Sequence, residues 1–199
     1  MTSDRAGQLE QIAEEIEGLE ESPLYRHRKA NGYLPVTGGG RADAEIMFVG
    51  EAPGKQEAKT GRPFVGRAGR LLDELLESVG LNRGEVYITN VVKDRPPGNR
   101  NPRADEIEVY GPFLLREIEI VEPDAIVTLG RFATRFVLGQ FGLAERGQTI
   151  GNLHGEVLTA EACYGEVHVV PLYHPAAVFY NRDLQQTLED DFQKLKQFV

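Results

Sequence analysis

Along this chain, apolar residues recur every three to four positions in some stretches and gather into tight runs in others. The two patterns predict helices and strands respectively. Leu9, Ile12, Ala13, Ile16 and Leu19 fall at helical spacing within residues 4–21, with Glu10, Glu14, Glu15, Glu17 and Glu20 mostly on other faces. This predicts an amphipathic N-terminal helix. Residues 22–43 read as loop, with Pro23, Pro35 and the run Gly38-Gly39-Gly40. The apolar run 44–49 predicts a strand that ends in a Gly/Pro turn at 50–54. Leu71, Leu72, Leu75, Leu76 and Val79 define the apolar side of a helix over 66–79, closed by Gly80. Further strands are predicted over 85–92, 124–129, 153–160 and 166–172. Further helices are predicted over 103–121 and 132–138, and most of 176–198 is helical.

Apolar strands alternating with helices predict an α/β fold with a parallel sheet covered on both faces and right-handed crossovers. There is no repeat and no linker, so residues 1–199 are expected to form one domain with the helix of 1–21 packed on it. In such folds the ligand site lies beyond the carboxyl ends of the strands. The turns at those ends are 50–54, 93–103, 130–131 and 173–177.

Composition narrows the classes. At 41% hydrophobic and 27% charged the chain is composed like a globular protein rather than a disordered one. Its one cysteine allows no internal disulfide, and no apolar run approaches the length of a membrane span. The first residues are acidic and amphipathic, unlike a secretory signal. A cytoplasmic protein away from the membrane is expected. The net charge of −9 argues at first against a nucleic-acid partner. Yet residues 55–70 and 93–103 together carry +7, which leaves −16 on the rest. Because screening confines charge effects to about 8–10 Å, two basic loops on an acidic body can still hold a polyanion.

Five short segments carry candidate chemistry. Gly50-Glu51-Ala52-Pro53-Gly54-Lys55 follows a strand but lacks the spacing and the Ser/Thr of a phosphate-binding loop. What remains is a tight turn that holds a carboxylate, Glu51, at a strand end. Gly61-Arg62-Pro63-Phe64-Val65-Gly66 sets one aromatic ring among Gly and Pro, either as a plug for the core or as a platform for a flat base. Asn90 closes an otherwise apolar strand, either as a satisfied structural amide or as a reader of a pyrimidine edge. Arg95-Pro-Pro-Gly-Asn-Arg-Asn-Pro102 is a basic loop. His174-Pro175 follows the last strand, and no second His or Cys lies at metal-ligand spacing, so no metal site is expected.

Each segment alone is weak, but their order over roughly residues 19–195 resembles the family 4 uracil-DNA glycosylases. The resemblance implies a three-layer α/β/α sandwich around a four-stranded, mostly parallel sheet. It implies a base-excision enzyme that flips deoxyuridine out of DNA and hydrolyses its N-glycosidic bond. By the same resemblance Glu51, His174, Glu57 and Asn99 belong to the catalytic network. Ala52, Phe64, Asn90 and His174 surround the uracil. Lys93, Arg95, Arg100 and Arg182 meet the DNA. Uracil-containing DNA is the expected partner, and the protein is expected to act as a monomer. Two alternatives are a glycosylase for other deaminated bases, such as hypoxanthine or xanthine, and a non-catalytic uracil-DNA binder. The covalent trap of some relatives needs a His in a basic loop after the second strand, and no His lies between His27 and His154.

Two departures stand out. The family normally holds a 4Fe–4S cluster on four cysteines, whose positions here match Leu19, Ser22, Asp94 and Tyr110. Cys163 is at none of them, so no cluster is expected. Asp94 is expected to pair with a nearby Arg, and Leu19 and Tyr110 to fill the space with apolar contacts. Second, Ala52 and Gly54 stand where other uracil glycosylases place a water-activating Asp and a thymine-blocking Tyr. That leaves Glu51 or Glu57 as the carboxylate, and Glu51 is the favoured one.

Overall fold

The computed structural model describes residues 4–199. In chain order the elements are α1 (Arg5–Glu17), α2 (Tyr25–Ala30), β1 (Gly39–Gly40), β2 (Ile46–Gly50), α3 (Lys55–Thr60), α4 (Arg67–Ser78) and β3 (Tyr87–Asn90). There follow α5 (Ala104–Val121), β4 (Ala125–Leu129), α6 (Arg131–Gln140), α7 (Ile150–Leu153), β5 (Leu158–Ala162), β6 (Gly165–Leu172) and α8 (Leu184–Gln193). The strands form one sheet in the order β1-β3-β2-β4-β6-β5. The inner four, β3, β2, β4 and β6, are parallel, and the two edge strands pair antiparallel. The expected four-stranded parallel sheet is thus present, with a short strand added at each edge.

The inner strands read as continuous apolar runs because both of their faces are covered. Side-chain alternation divides them between two cores. Met47, Val49, Ile126, Val167 and Val169 meet Ile12 and Ile16 of α1, Tyr110, Leu114 and Ile118 of α5, and Val137 of α6. Ile46, Phe48, Ala125, Val127 and Val170 meet Leu72, Leu75 and Leu76 of α4 and Leu188 and Phe192 of α8. These are the three layers. Helix α1 is tied to α5 by the bidentate pair of Arg116 with Glu15.

Four stretches differ from the pattern-based expectation. Residues 22–43 contain α2 and β1, both too short to show periodicity. Residues 55–60 form α3 rather than loop, ended by Gly61 in the left-handed region. The strand expected over 153–160 begins only at Leu158, because 150–153 make the single turn α7. The terminal helix is interrupted over residues 180–183, between a 3₁₀ helix at Pro175–Phe179 and α8.

Candidate active site

The carboxyl ends of β2, β3 and β6 open into one cleft of about 610 Å³. Glu51 and Ala52 follow β2, Asn90 ends β3, and His174 follows β6, so three crossovers deliver these residues to one place. Phe64, Glu57, Asn99 and Arg100 line the same cleft. Eight of the sequence-expected site residues therefore converge.

Phe64 is held by its neighbours rather than by its own loop. Its backbone is in the left-handed region, at φ 50°. The Val65 and Gly66 N–H groups donate to Glu57 Oε1 at 2.9 and 2.7 Å, so the α3 carboxylate clasps the Phe64 loop. A Cβ on Gly69 would overlap the Phe64 carbonyl oxygen, and one on Gly50 would lie 2.6 Å from Phe64 Cζ. Only glycine permits that approach. The ring lies against the imidazole of His174, with centroids 5.7 Å apart at 26°. With only 5% exposure it is core packing on one side and cleft wall on the other.

The polar groups differ in how they are engaged. His174 Nδ1 accepts from the Ala176 N–H at 3.1 Å, which puts the proton of the neutral ring on Nε2. Burial pulls its pKa down to about 4, against the opposing charge of Glu57. Asn90 is 2% exposed, and its carboxamide bonds none of the described residues. Strand alternation sends its neighbour Thr89 the other way, onto Glu117 of α5. Glu51 has no side-chain partner either, and burial raises its pKa against the pull of Arg131. Asn99 sits exposed on the rim with its Oδ1 accepting from Arg95 Nε at 2.6 Å.

One of the expected phosphate contacts, Lys93, needs correction. Lys93 is 0% exposed, and its Nζ bonds Glu117 Oε2 at 2.5 Å and Thr89 Oγ1 at 2.7 Å. It braces the end of β3 and cannot reach DNA. Arg100 lines the cleft but is paired with Glu106. Arg182 is exposed and lies outside the cleft lining. Arg95 bonds only the neutral groups of Asn99 and Tyr33. Among the described residues, Lys55, Lys59, Arg62, Arg67 and Arg70 have no carboxylate partner, so of the two basic segments the first keeps more of its positive charge unpaired.

Several lining residues escaped the sequence reading. Tyr180, on the rim, is 92% exposed, and Phe179 carries the Arg67 guanidinium 3.8 Å over its ring. Tyr180 had one sequence signal, a large aromatic residue beside the polar pair Asn181-Arg182.

Of the four positions matched to cluster cysteines, three meet at Tyr110 of α5. The Tyr110 hydroxyl is hydrogen-bonded to both Ser22 and Asp94, and Leu19 packs against the core that contains Tyr110. An iron–sulfur cluster needs thiolates. These residues offer an alkyl chain, a hydroxyl, a carboxylate and a phenol, and they fill the space with their own contacts. They do not fit the cluster. Among the described residues no group of His, Cys, Asp and Glu could hold a metal ion, and no helix is long and apolar enough to cross a membrane.

Comparison with known proteins gives the family. Residues 37–197 match the model of the uracil DNA glycosylase superfamily. A type-4 uracil-DNA glycosylase of Archaeoglobus fulgidus is 46% identical, over 94% of this chain and 91% of its own length. Type-4 uracil-DNA glycosylases of Sulfurisphaera tokodaii and Saccharolobus solfataricus are 45% and 43% identical, over 96% and 95% of this chain and 84% and 85% of their own lengths.

Proposed function

The chain belongs to the uracil DNA glycosylase superfamily, and we propose that the cleft at the ends of β2, β3 and β6 is where it excises uracil from DNA. The protein is a DNA-repair hydrolase that cleaves the N-glycosidic bond of deoxyuridine, releasing uracil and leaving an abasic site. One observation carries the assignment of the cleft. Asn90 is almost fully buried, yet its amide is left free toward the opening. Buried polar groups are normally paired, so a free one facing a cleft calls for a ligand. An amide's adjacent donor and acceptor match the neighbouring carbonyl and N–H of uracil.

In this reading Phe64 supports the flipped base by stacking, and Ala52 lies beside it. Water adds to C1′, and the C1′–N1 bonding pair leaves with the base. Negative charge then grows on uracil O2, where His174 Nε2–H donates. A preorganised donor aimed at developing charge is often the largest catalytic term. A neutral imidazole suits the task, because it keeps its N–H without adding a cation to an apolar wall. Glu51 takes the water proton, and its raised pKa moves it toward the range of a useful base. Glu57, already engaged by two backbone N–H groups, acts by fixing the Phe64 loop, and Asn99 by fixing Arg95. Tyr180 enters the gap that the base leaves. Lys55, Arg67 and Arg95 meet phosphates, which position the DNA without specifying sequence. Every residue named for the cleft belongs to one chain, so a monomer would suffice to act on uracil-containing DNA.

The test is a panel of oligonucleotides bearing uracil, hypoxanthine, xanthine or thymine, assayed for alkali-labile abasic sites. Uracil is expected to be the preferred base, with Asn90→Ala and His174→Gln reducing the single-turnover rate severely. Preferred release of a purine would favour the other deaminated-base reading. Binding without release would favour the non-catalytic one.

A further inference from the structure

A chain of buried polar groups joins the N-terminal segment, the 93–103 segment and α5. The Leu24 N–H donates to Ser22 Oγ at 3.1 Å, Ser22 Oγ lies 2.6 Å from the Tyr110 hydroxyl, and that hydroxyl donates to Asp94 Oδ2 at 2.6 Å. A phenol has one proton and a carboxylate only accepts. The Ser22 proton must therefore point to Tyr110, and the chain runs one way, toward Asp94. Arg28 closes it from the other side. Its Nη1 reaches Asp94 Oδ1 at 3.4 Å and the Ile16 carbonyl at 3.0 Å, while Nη2 reaches the Glu17 carbonyl at 2.7 Å. The guanidinium thus caps the end of α1 while it neutralises the carboxylate. All four residues are buried, and none leaves a buried polar atom unpaired.

What this chain holds is the root of a cleft-lining segment. Asp94 lies just before Pro96, Asn99, Arg100 and Asn101, all of which line the cleft. The N-terminal segment also grips the flanking residues. The Val36 N–H bonds the Lys93 carbonyl at 2.7 Å, and the Tyr33 hydroxyl accepts from Arg95 Nη1 at 3.1 Å. Tyr33 is itself fixed to α2, its N–H donating to the Arg28 carbonyl at 3.0 Å. Three stretches of the chain, one of them joined to the others across 66 and 88 residues of sequence, are therefore tied at one point, as a multidentate metal centre would tie them.

We propose that the Ser22–Tyr110–Asp94–Arg28 network is a metal-free clamp at the place of the family's iron–sulfur cluster, with Tyr110 and Asp94 acting as positioning residues that set the 93–103 segment for DNA. The positioning half rests on the glycosylase reading; the metal-free half does not. A buried charge stripped of its partners is costly, so the network is expected to act as a unit.

Two measurements test it. Anaerobically purified wild-type protein is assayed for iron, acid-labile sulfide and the visible absorption of an iron–sulfur chromophore, and all three are expected to be absent. Stoichiometric iron and sulfide would overturn the metal-free clamp. Tyr110→Phe then removes only the hydroxyl. Its KM for uracil-containing DNA is expected to rise about tenfold with kcat unchanged, the equivalent of one hydrogen bond at about 1.4 kcal/mol per tenfold. Asp94→Asn should move KM the same way, and the double variant should be no worse than the worse single one. Should Tyr110→Phe fold poorly, Ser22→Ala interrupts the same chain one link further from Asp94. A lowered unfolding midpoint with KM unchanged would reduce the network to scaffolding and overturn the positioning role. If wild-type protein released no uracil, the glycosylase reading would fail on its own, while the iron and sulfide assays would still decide the clamp.

Discussion

Acidification tests the state of His174. Its pKa falls from 6.5 to about 4 because burial disfavours the cation more than the Glu57 carboxylate favours it. The gap is about 2.5 pH units, which at 1.36 kcal/mol per unit is about 3 kcal/mol. The open side of the cleft screens part of this, so the figure is a ceiling. The sign follows from proton counts. Above about pH 6.5 the ring is neutral in both folded and unfolded chains and contributes nothing. Between there and about pH 4 the unfolded chain holds the extra proton, so stability falls as pH falls and levels off below. The ring proton of His174, assigned by comparison with His174→Gln, is followed by NMR. Urea unfolding of both proteins is measured across the same pH range. The wild type should lose more stability on acidification than the variant. Single-turnover excision should show no inflection near 6.5, and its acid limb should belong to Glu51 and disappear from the residual rate of Glu51→Gln. A His174 midpoint near 6.5, with excision falling in step, would refute the neutral-donor reasoning.

Three further outcomes are expected. Lys93→Met strands the buried Glu117 carboxylate and should cost about 3–5 kcal/mol in urea unfolding. It should leave the salt dependence of DNA binding unchanged, since Lys93 touches no phosphate. Gly69→Ala forces a methyl group onto the Phe64 carbonyl and should cost about 1–3 kcal/mol of stability along with most of the excision rate. Tyr180→Ala removes an exposed ring, so its unfolding midpoint should not move. Excision from duplex DNA should fall about tenfold or more, the scale of one stacking contact, while single-stranded substrate is spared. Equal losses on both substrates would argue against a role in the gap.

How far the sequence reached depended on the range of the interactions involved. The parallel sheet was legible because runs such as Ile46–Val49 and Val167–Leu172 must bury both faces, and burial leaves an apolar signature in any short window. The general place of the site was legible too, because strand direction alone sends Glu51, Asn90 and His174 to the same sheet edge. The absence of thiolates at Leu19, Ser22, Asp94 and Tyr110 was explicit in the residue types. Helix α3 was hidden because six residues between Gly54 and Gly61 are too few to show a period.

The state of each charge was settled only by tertiary structure. Lys93 and Arg95 stand two positions apart in one basic segment, yet one is sealed against Glu117 and the other bonds only neutral groups at the cleft. Glu51 and Glu57 are both carboxylates near one turn, yet only Glu57 is engaged by backbone N–H groups. Hydrophobic patterning is an average over neighbours in sequence and survives without coordinates. The fate of an ionisable group depends on the one or two partners that folding brings within about 3 Å, and those partners lie in other segments of the chain.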